Sequence, residues 1–290
     1  MVRLMKTGLF LPLFGDLAEP RCVVDLAMRA EDAGWDGFFV WDHIFGRDEA
    51  VCDAFVALAA VAAMTERMRL GPLVTPLARR RPWVLARQTT SVDHLSVGRL
   101  ILGIGLADDG WRSEPTELLE QAAEEQESQA LLDEALAVLL ALWSGKPVHH
   151  DGDRFHVDSP PFLPTPVQQP RIPIWATSRA TDPASLLRAA KVDGVLPIFS
   201  ERETAAAVAS GAPDQVDMRT VRDKLADLGA PPDHDLILRG RLGPTWSSES
   251  RHRLHTLEQA GATWWLETFD RDDVLQSVVE RISAGPPPLQ

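Results

Sequence analysis

The stretch RLILGIGLADDG, at residues 99–110, looks like a strand that runs into a dinucleotide-binding loop. That loop needs G-x-G-x-x-G or G-x-G-x-x-A, because the third small residue lets the following helix pack closely on the strand. Counting from Gly103 and Gly105, the third position is Asp108, whose carboxylate would face the pyrophosphate. A long acidic helix is predicted next, instead of a short helix and a second strand. The spacing therefore argues against NAD binding.

Other residues with chemical potential also follow short apolar runs. Carboxylate, imidazole, hydroxyl and guanidinium groups occur there, without metal-ligand spacing and without a nucleophile-elbow pattern. This set gives little support to metal catalysis or hydrolysis, and it suits an anionic cofactor that carries the difficult chemistry itself. The positions are Pro12, Leu13 and Phe14; Asp42 and His43; Val74 and Thr75; Gly105, Ala107 and Asp108; Thr177, Ser178 and Arg179; Phe199; Arg241; and Glu267.

Eight apolar runs, each followed by a segment of helical periodicity, must position these residues. Near-continuous apolar strands are typical of a parallel sheet buried on both faces, and eightfold βα alternation predicts an α/β fold, the (β/α)8 TIM barrel. Barrel active sites lie at the carboxyl ends of the strands, so the strand-end residues should converge on one cavity. The strands are predicted at 6–14, 37–43, 69–76, 99–107, 172–178, 194–199, 235–242 and 263–269, and the helices at 20–33, 53–66, 82–95, 116–143, 183–191, 214–229, 250–260 and 271–283.

One long interruption, at about residues 108–171, separates strands four and five. It contains the acidic helix, a segment KPVHHDGDRFHVD whose Asp151-Gly152 turn signal predicts a β-hairpin, and the proline-rich SPPFLPTPVQQPRIP. Because the alternating pattern resumes at once, we interpret this region as an insertion lying over the barrel mouth. The prediction is one domain, residues 1–290, with an insertion between strands 4 and 5.

Composition narrows the classes of partner. The net charge of −13 argues against nucleic acid, whose binding requires a basic surface. No apolar run approaches the roughly 18 residues of a membrane helix, and the N-terminal residues lack a signal-peptide pattern. Cys22 and Cys52 form no Cys-x-x-Cys motif, so a reducing compartment is the simple interpretation. We expect a cytoplasmic protein that binds neither nucleic acid nor a membrane.

Each candidate also has a purely structural interpretation. His43 could be hydrogen-bonded at a strand end, and Asp42 could cap the following turn. The arginines at 79–81 fit either a solvated helix start or a phosphate clamp. Thr177 and Ser178 could be first-turn residues of the next helix, although hydroxyls and free N–H groups at a helix N-terminus also bind phosphate. The residue types alone leave these alternatives open.

The segment RMRLGPLVTPLARRRPWVLARQTTSVDHLSVGRLILGIGLA, residues 67–107, resembles the strand-three to strand-four region of bacterial luciferase-like oxidoreductases. These are flavin- or F420-dependent (β/α)8-barrel enzymes. The likeness covers nearly the whole chain in order, and it implies that reducing equivalents arrive as reduced cofactor. It also implies that the glycines of the opening stretch let an isoalloxazine-type ring lie against strand four. Further matching segments are AEDAGWDGFFVWDHIF (30–45), LLDEALAVLLALWSGKPVHHDGDRFHV (131–157), FLPTPVQQPRIPIW (162–175), RAAKVDGVLPIF (188–199) and GATWWLE (261–267).

The resemblance implies roles for individual residues. His43 matches the strand-two histidine that handles protons beside the ring, and Asp108 falls where some F420-dependent dehydrogenases carry a catalytic carboxylate. Leu73-Val74 falls where many members have a non-prolyl cis peptide or a bulge behind the ring. The implied catalytic residues are therefore His43 and Asp108, with no metal ligands. The implied cofactor-binding residues, of which the last three match the phosphate site, are Asp42, His43, Val74, Thr75, Gly105, Ala107, Thr177, Ser178 and Arg179.

Three departures from the family pattern concern the cofactor region. Trp175-Ala176-Thr177-Ser178 replaces a W-V-G-G-like end of strand five, Ala107-Asp108 replaces a further glycine, and SEPTELLEQAAEEQESQ lacks the usual phenylalanine-glycine pair and arginine. We predict an oxidoreductase that uses reduced F420 or FMN on a small organic substrate, by hydride transfer or monooxygenation. A homodimer is expected, and a separate reductase is a candidate partner. The alternative is a cofactor-free barrel that acts as a binding or scaffold protein.

Overall fold

The computed structural model describes residues 5–46, 48–106, 125–179, 182–198, 215–242 and 246–287. The predicted site residues Ala107 and Asp108, and the strand-end residue Phe199, therefore lie outside the described residues. The strands are β1 (Lys6–Leu11), β2 (Gly37–Val40), β3 (Arg69–Pro72), β4 (Thr75–Pro76), β5 (Leu102–Gly105), β6 (Val148–Asp151), β7 (His156–Ser159), β8 (Ile174–Arg179), β9 (Gly194–Ile198), β10 (Asp235–Gly240) and β11 (Trp264–Thr268). The helices are α1 (Pro20–Asp32), α2 (Ala54–Met64), α3 (Pro82–Leu95), α4 (Glu125–Trp143), α5 (Pro183–Ala190), α6 (Gln215–Asp227), α7 (Ser248–Gln259) and α8 (Leu275–Ser283), with 3-10 turns at Gly15–Ala18 and Leu77–Arg79.

These elements match the predicted alternation, and local chemistry explains their bounds. Helix α3 begins at Pro82, as predicted, because proline fits the first helical turn. Helix α2 begins after Asp53, whose carboxylate accepts a hydrogen bond from the N–H of Val56 at 2.9 Å. The predicted strand three is two strands, β3 and β4, because the chain breaks at Leu73-Val74. Strand β2 ends at Val40, so Asp42 and His43 lie beyond the strand. Their side chains therefore need not point in the directions that a strand would impose.

The chain divides into two compact units. One consists of Met1–Leu11, Arg29–Phe39 and Ile174–Gln290. Within it, parallel strands run in the order β1–β11–β10–β9–β8, with Lys6 opposite Trp264 and Thr177 opposite Leu196. Its core is aromatic, since the ring of Trp175 lies 5.3 Å from that of Trp264 and 5.0 Å from that of Phe39. All three of these side chains are fully buried.

The other unit consists of Pro12–Met28 and Val40–Pro173. Leu70 forms a parallel bridge with Leu100, and Thr75 of β4 lies opposite Ile104 of β5. A Cβ atom on Gly103 would lie 2.6 Å from the carbonyl oxygen of Pro72. Gly103 is therefore needed for the close approach of two strands. This contact is a structural reason for Gly103, and the expectation that the glycines make room for a cofactor ring stays a prediction.

The proline-rich connector lies along α3. The carboxylate of Asp93 accepts hydrogen bonds from the backbone N–H (3.1 Å) and the side-chain amide (2.7 Å) of Gln168. The same amide donates to the carbonyl of Leu100 at 2.7 Å, just before β5 begins, and Arg87 stacks over Phe162 at 3.9 Å. These contacts hold the segment near the amino end of β5. The expectation that it covers the barrel mouth is wrong for residues 162–168, because α3 supplies their partners.

The hairpin within the same region is confirmed. Strands β6 and β7 pair antiparallel, with His150 opposite Val157. Residues 152–155 form the turn, where the N–H of Gly152 donates to the carbonyl of Phe155 at 3.0 Å. The insertion and the single domain remain predictions. Among the helices that the structure describes, none is long and apolar enough to cross a membrane.

Candidate functional site

His43 packs against two aromatic rings just beyond the end of β2. Its imidazole is half-buried, and its centroid is 5.3 Å from the ring of Phe14 and 5.8 Å from that of Trp41. The N–H of Leu73 donates to the carbonyl of Val40 at 2.8 Å, which brings the end of β3 beside the end of β2. Aromatic packing therefore holds the imidazole while part of it remains accessible.

The carboxylate of Asp42 is fully engaged by an arginine. Nε of Arg80 donates to Oδ2 of Asp42 at 3.1 Å, and Nη2 of the same guanidinium donates to Oδ1. The Asp42 side chain is only 2% exposed, and Arg80 also lies over the ring of Phe55 at 5.0 Å. This two-pronged pair fixes the segment that carries His43. Asp42 was predicted to bind the cofactor. Its contacts with Arg80 instead favour a role in which Asp42 positions the neighbouring His43.

A second arginine lies beside this pair. Nη2 of Arg79 donates to the carbonyl of Asp42 at 3.4 Å. Burial lowers the pKa of Arg79 to about 10, an effect that Asp42 opposes and Arg80 reinforces, so the side chain remains cationic at neutral pH. From the sequence, these arginines fit either a solvated helix start or a phosphate clamp. Their pairing with Asp42 was not predicted. The available signal was that the carboxylate and the arginines follow successive strands of a parallel sheet, whose carboxyl ends share one edge.

Val74 and Thr75 lie at the same edge. The Leu73–Val74 peptide is cis, as the family resemblance implied, and Val74 is half-buried. Thr75 is fully buried, and its hydroxyl has no hydrogen-bond partner among the described residues. Strand pairing places Pro76 opposite Gly105. The second unit thus brings together five of the predicted site residues, namely Asp42, His43, Val74, Thr75 and Gly105.

The residues predicted to bind phosphate end strand β8, in the first unit. The hydroxyl of Ser178 is buried and lies 3.1 Å from that of Ser185, which also accepts from the N–H of Arg179 at 3.2 Å. Thr177 is half-buried, and its hydroxyl makes no hydrogen bond within the described residues. Ser178 therefore ties the strand to the next helix, and ligand binding by Thr177 stays a prediction.

The amino end of α5 already has an acidic cap. The carboxylate of Asp182 accepts from the N–H of Ala184 at 3.1 Å and from the N–H of Ser185 at 3.2 Å. Pro183, the first residue of the helix, has no N–H to offer. An anion at this terminus would compete with Asp182 for those donors.

Two further strand-end candidates, Arg241 and Glu267, form ion pairs inside the first unit. Arg241 donates to the carboxylate of Asp273 at 3.0 Å on the surface. Glu267, at the end of β11, is 3% exposed and accepts from Nε of Arg281 at 3.3 Å. Burial raises the pKa of Glu267, although Arg281 opposes the shift. In the described part of the chain, no group of three or more metal-ligating side chains could hold an ion.

Comparison with known proteins identifies a family and a fold. The model of the luciferase-like monooxygenase family matches residues 5–212. The F420-dependent glucose-6-phosphate dehydrogenase of Nakamurella multipartita is 31% identical over 165 residues, which cover 56% of this chain and 48% of that protein. The chain thus matches only about half the length of this curated relative.

Two solved structures show the same fold. An F420-dependent secondary alcohol dehydrogenase, solved with an F420–acetone adduct, is 15% identical with a TM-score of 0.77 and 99% of both chains covered. The FMN complex of the oxygenating constituent of 3,6-diketocamphane monooxygenase from Pseudomonas putida is 18% identical with a TM-score of 0.64, covering 82% of this chain and 67% of that chain. The predicted fold class, an α/β TIM barrel, is confirmed.

Proposed function

The chain belongs to the luciferase-like monooxygenase family, and we propose that it is an oxidoreductase that uses reduced F420 or FMN on a small organic substrate. F420 is the first candidate, because the matched dehydrogenase of Nakamurella multipartita is named for that cofactor. Two observations carry the proposal: the half-buried His43 packs against Phe14 and Trp41, and the buried hydroxyl of Thr75 has no partner among the described residues.

The residues present fit a flavin-like group. Buried hydroxyls in native proteins nearly always have a hydrogen-bond partner, and Thr75 lacks one in the described part of the chain. A heterocyclic ring with polar edge atoms would satisfy such a hydroxyl, and Val74 offers an apolar surface for a ring. We infer that Val74, Thr75 and Gly105 contact the ring and that the Asp42–Arg80 pair holds His43 in place.

The protein's own contribution is orientation and proton handling. When bound, F420 or FMN supplies the two-electron redox chemistry. His43 would hold or accept a proton at its imidazole, a role that requires a group with a pKa near the working pH. Phe14 and Trp41 would keep water from most of the imidazole surface. Asp108, outside the described residues, is proposed as the second proton-handling group.

The anionic end of the cofactor is assigned to Thr177, Ser178 and Arg179. The unbonded hydroxyl of Thr177 supports this assignment. The cap that Asp182 places on α5 favours the alternative, a cofactor-free barrel that binds other molecules, because the helix donors are already satisfied. A test of cofactor binding by the folded apoprotein distinguishes the oxidoreductase from the cofactor-free barrel.

We also propose a homodimer. Helix α2 reads AFVALAAVAAM and is apolar on every side, yet Val56 is 60% exposed and Met64 is 54% exposed on one face. A helix that is hydrophobic all round is normally buried, so a second copy is the proposed cover for this face. Sedimentation of a Val56→Lys variant would give monomers under conditions in which the unchanged protein dimerises. A cytoplasmic location and a separate reductase partner stay predictions from the sequence.

The first test is equilibrium titration of the apoprotein with F420 and, separately, with FMN, followed by Trp fluorescence. Saturable binding of F420 alone supports a deazaflavin enzyme, and preference for FMN supports oxygenation. The matched variants are Thr75→Val and Thr90→Val, because Thr90 in α3 is another buried threonine whose hydroxyl has no partner in the described residues. We expect Thr75→Val to weaken binding about three- to tenfold, the effect of one lost hydrogen bond, and Thr90→Val to leave it unchanged.

The second test concerns His43. Once a substrate is found, His43→Ala should lower kcat by about 10² to 10⁴ at saturating reduced cofactor, the usual loss for an absent general acid or base. The cofactor Kd should change much less. Full turnover by this variant would remove His43 from the mechanism. Failure of the folded apoprotein to bind either cofactor would favour the cofactor-free alternative.

A further inference from the structure

A cavity unrelated to the candidate cofactor site lies where α6 is followed by β10. Its volume is about 320 Å³, at the lower end of the range for small-molecule pockets. The cavity adjoins the amino end of β10, whereas barrel active sites occupy the carboxyl ends of the strands. Its walls are aliphatic and prolyl, formed by Leu225, Ala226, Ala230, Pro231 and Pro232.

Two successive turns create this space. Helix α6 is followed by Gly229 at a φ of +87°, and the N–H of Ala230 donates to the carbonyl of Leu225 at 2.9 Å. The N–H of His234 then donates to the carbonyl of Pro231 at 3.0 Å, which turns the chain into β10. Because the alanine side chains of the wall are small, they leave the space between these turns open.

His234 provides a polar group in this apolar surrounding. His234 lines the cavity and is only 4% exposed. Nε2 lies 2.9 Å from the carbonyl oxygen of Ala189, and since a carbonyl can only accept, Nε2 carries the hydrogen. Burial lowers the pKa of His234, so the imidazole is neutral at physiological pH.

The second ring nitrogen of His234 is therefore a hydrogen-bond acceptor. In the neutral tautomer fixed by Ala189, Nδ1 carries a lone pair, and no described residue donates to it. A ligand for this cavity must supply a donor. Arg222, which also lines the cavity and donates to the carbonyl of Gly261, is cationic. A neutral donor such as a hydroxyl group fits beside this cation.

We propose that this cavity binds a small neutral hydroxyl compound of the phenol or compact alcohol class. The O–H donates to Nδ1 of His234, and the hydrocarbon part packs against Leu225, Ala230 and Pro231. The site is independent of the proposed redox function, so its failure in an experiment would leave that function untouched.

Phenol and toluene are the probes, because they have the same size and differ in the hydroxyl. Each is titrated into the full-length protein without cofactor, and backbone amide shifts of residues 225–236 report binding in NMR spectra. We expect phenol to bind roughly five- to tenfold more tightly than toluene, the effect of one hydrogen bond. In His234→Phe this preference should disappear. Equal affinities in the unchanged protein, or a preference that survives in His234→Phe, would overturn the proposal.

A second pair of variants decides the matter if His234→Phe does not fold. Ala226 is an exposed residue of α6 that lines the cavity, so Ala226→Phe fills the space from the surface. Asp223→Phe puts the same ring on the same helix at an exposed position that does not line the cavity. Binding of phenol should fall at least tenfold in Ala226→Phe and remain unchanged in Asp223→Phe. Unchanged binding in Ala226→Phe would show that phenol binds elsewhere.

Discussion

Two strand-end carboxylates, Asp42 after β2 and Glu267 at the end of β11, both pair with an arginine, but the two pairs are built differently. Asp42 takes two donors from one edge of Arg80, and the Arg80 side chain is 17% exposed. Glu267 takes only Nε of Arg281 in hydrogen-bond geometry, while Nη2 makes an ion-pair contact at 3.3 Å. The face of the Arg281 guanidinium is covered by Trp246 at 3.5 Å.

The two carboxylates also differ in the other parts of the structure that they contact or adjoin. Glu267 also accepts from the N–H of Leu242 and from Nε1 of Trp265, both at 3.2 Å, so it joins several segments of the first unit. Asp42 is adjacent in sequence to a half-buried His43, and Arg80 holds that segment in place. A carboxylate at a strand end is therefore no sign of catalysis by itself. Its donors decide whether it supports a core or positions a neighbouring reactive group.

The largest expected effect is the removal of the cation from the enclosed pair. Arg281→Met leaves Glu267 buried without its counterion, and we expect a loss of about 3–5 kcal/mol in the free energy of unfolding, measured with urea. The double variant Arg281→Met, Glu267→Gln should recover part of that loss, since no unpaired charge remains. A loss below about 1 kcal/mol in the single variant would show that this pair is not enclosed.

The same change in the Asp42–Arg80 pair should lower the free energy of unfolding by a smaller amount, but it should also lower cofactor affinity. Arg80→Met leaves the buried Asp42 with fewer donors, but the cationic Arg79 stays beside it, so we expect about 1–3 kcal/mol. Cofactor affinity should fall along with it, because the segment carrying His43 loses its anchor. Arg81→Met, at an exposed neighbouring position, is the control and should change neither quantity. Equal effects of the two variants would contradict the positioning role of the Asp42–Arg80 pair.

A pH series sharpens the comparison at Glu267. Burial raises its pKa above 4.5, so the folded state holds this proton more tightly than the unfolded state does. Stability from this group is therefore lost as the pH rises from 4.5 through the raised value. The Tm of Glu267→Gln, relative to the unchanged protein, should accordingly rise with pH over that window. A constant difference in Tm across the window would mean that Glu267 does not titrate on folding.

The smallest effect is expected at Glu134, a carboxylate that serves the β6–β7 hairpin. Burial acts to raise its pKa, but hydrogen bonds from the N–H of Phe155 (2.7 Å) and from His150 outweigh burial, and the pKa is lowered. Its contribution is present above 4.5 and is lost as the pH falls through the lowered value. Glu134→Gln should lower the Tm by about 1–3 °C at neutral pH, and the gap should close in acid. A gap that persists in acid would point to packing instead of charge.

Much of the fold could be predicted because its signals are local. The order of strands and helices follows from apolar periodicity, and α3 begins at Pro82 as predicted. The family resemblance implied a cis peptide or a bulge at Leu73–Val74, and the peptide is cis. The site could be predicted as a set of strand-end positions, and Asp42, His43 and Thr75 do lie at adjacent strand ends. The pairing of Asp42 with Arg80 could not, since nothing local distinguishes Arg80 from the arginines on either side of it.

The sequence by itself determined the alternation of elements, the start of α3 at Pro82 and the family, because each depends on residue type and short spacing. Only the tertiary structure decided the partners of residues far apart in the chain. It showed that Gly103 is required by the backbone of Pro72, and that Gln168 binds Asp93 of α3. Such contacts join residues 31 and 75 positions apart, and they depend on how strands and helices pack, which periodicity does not encode.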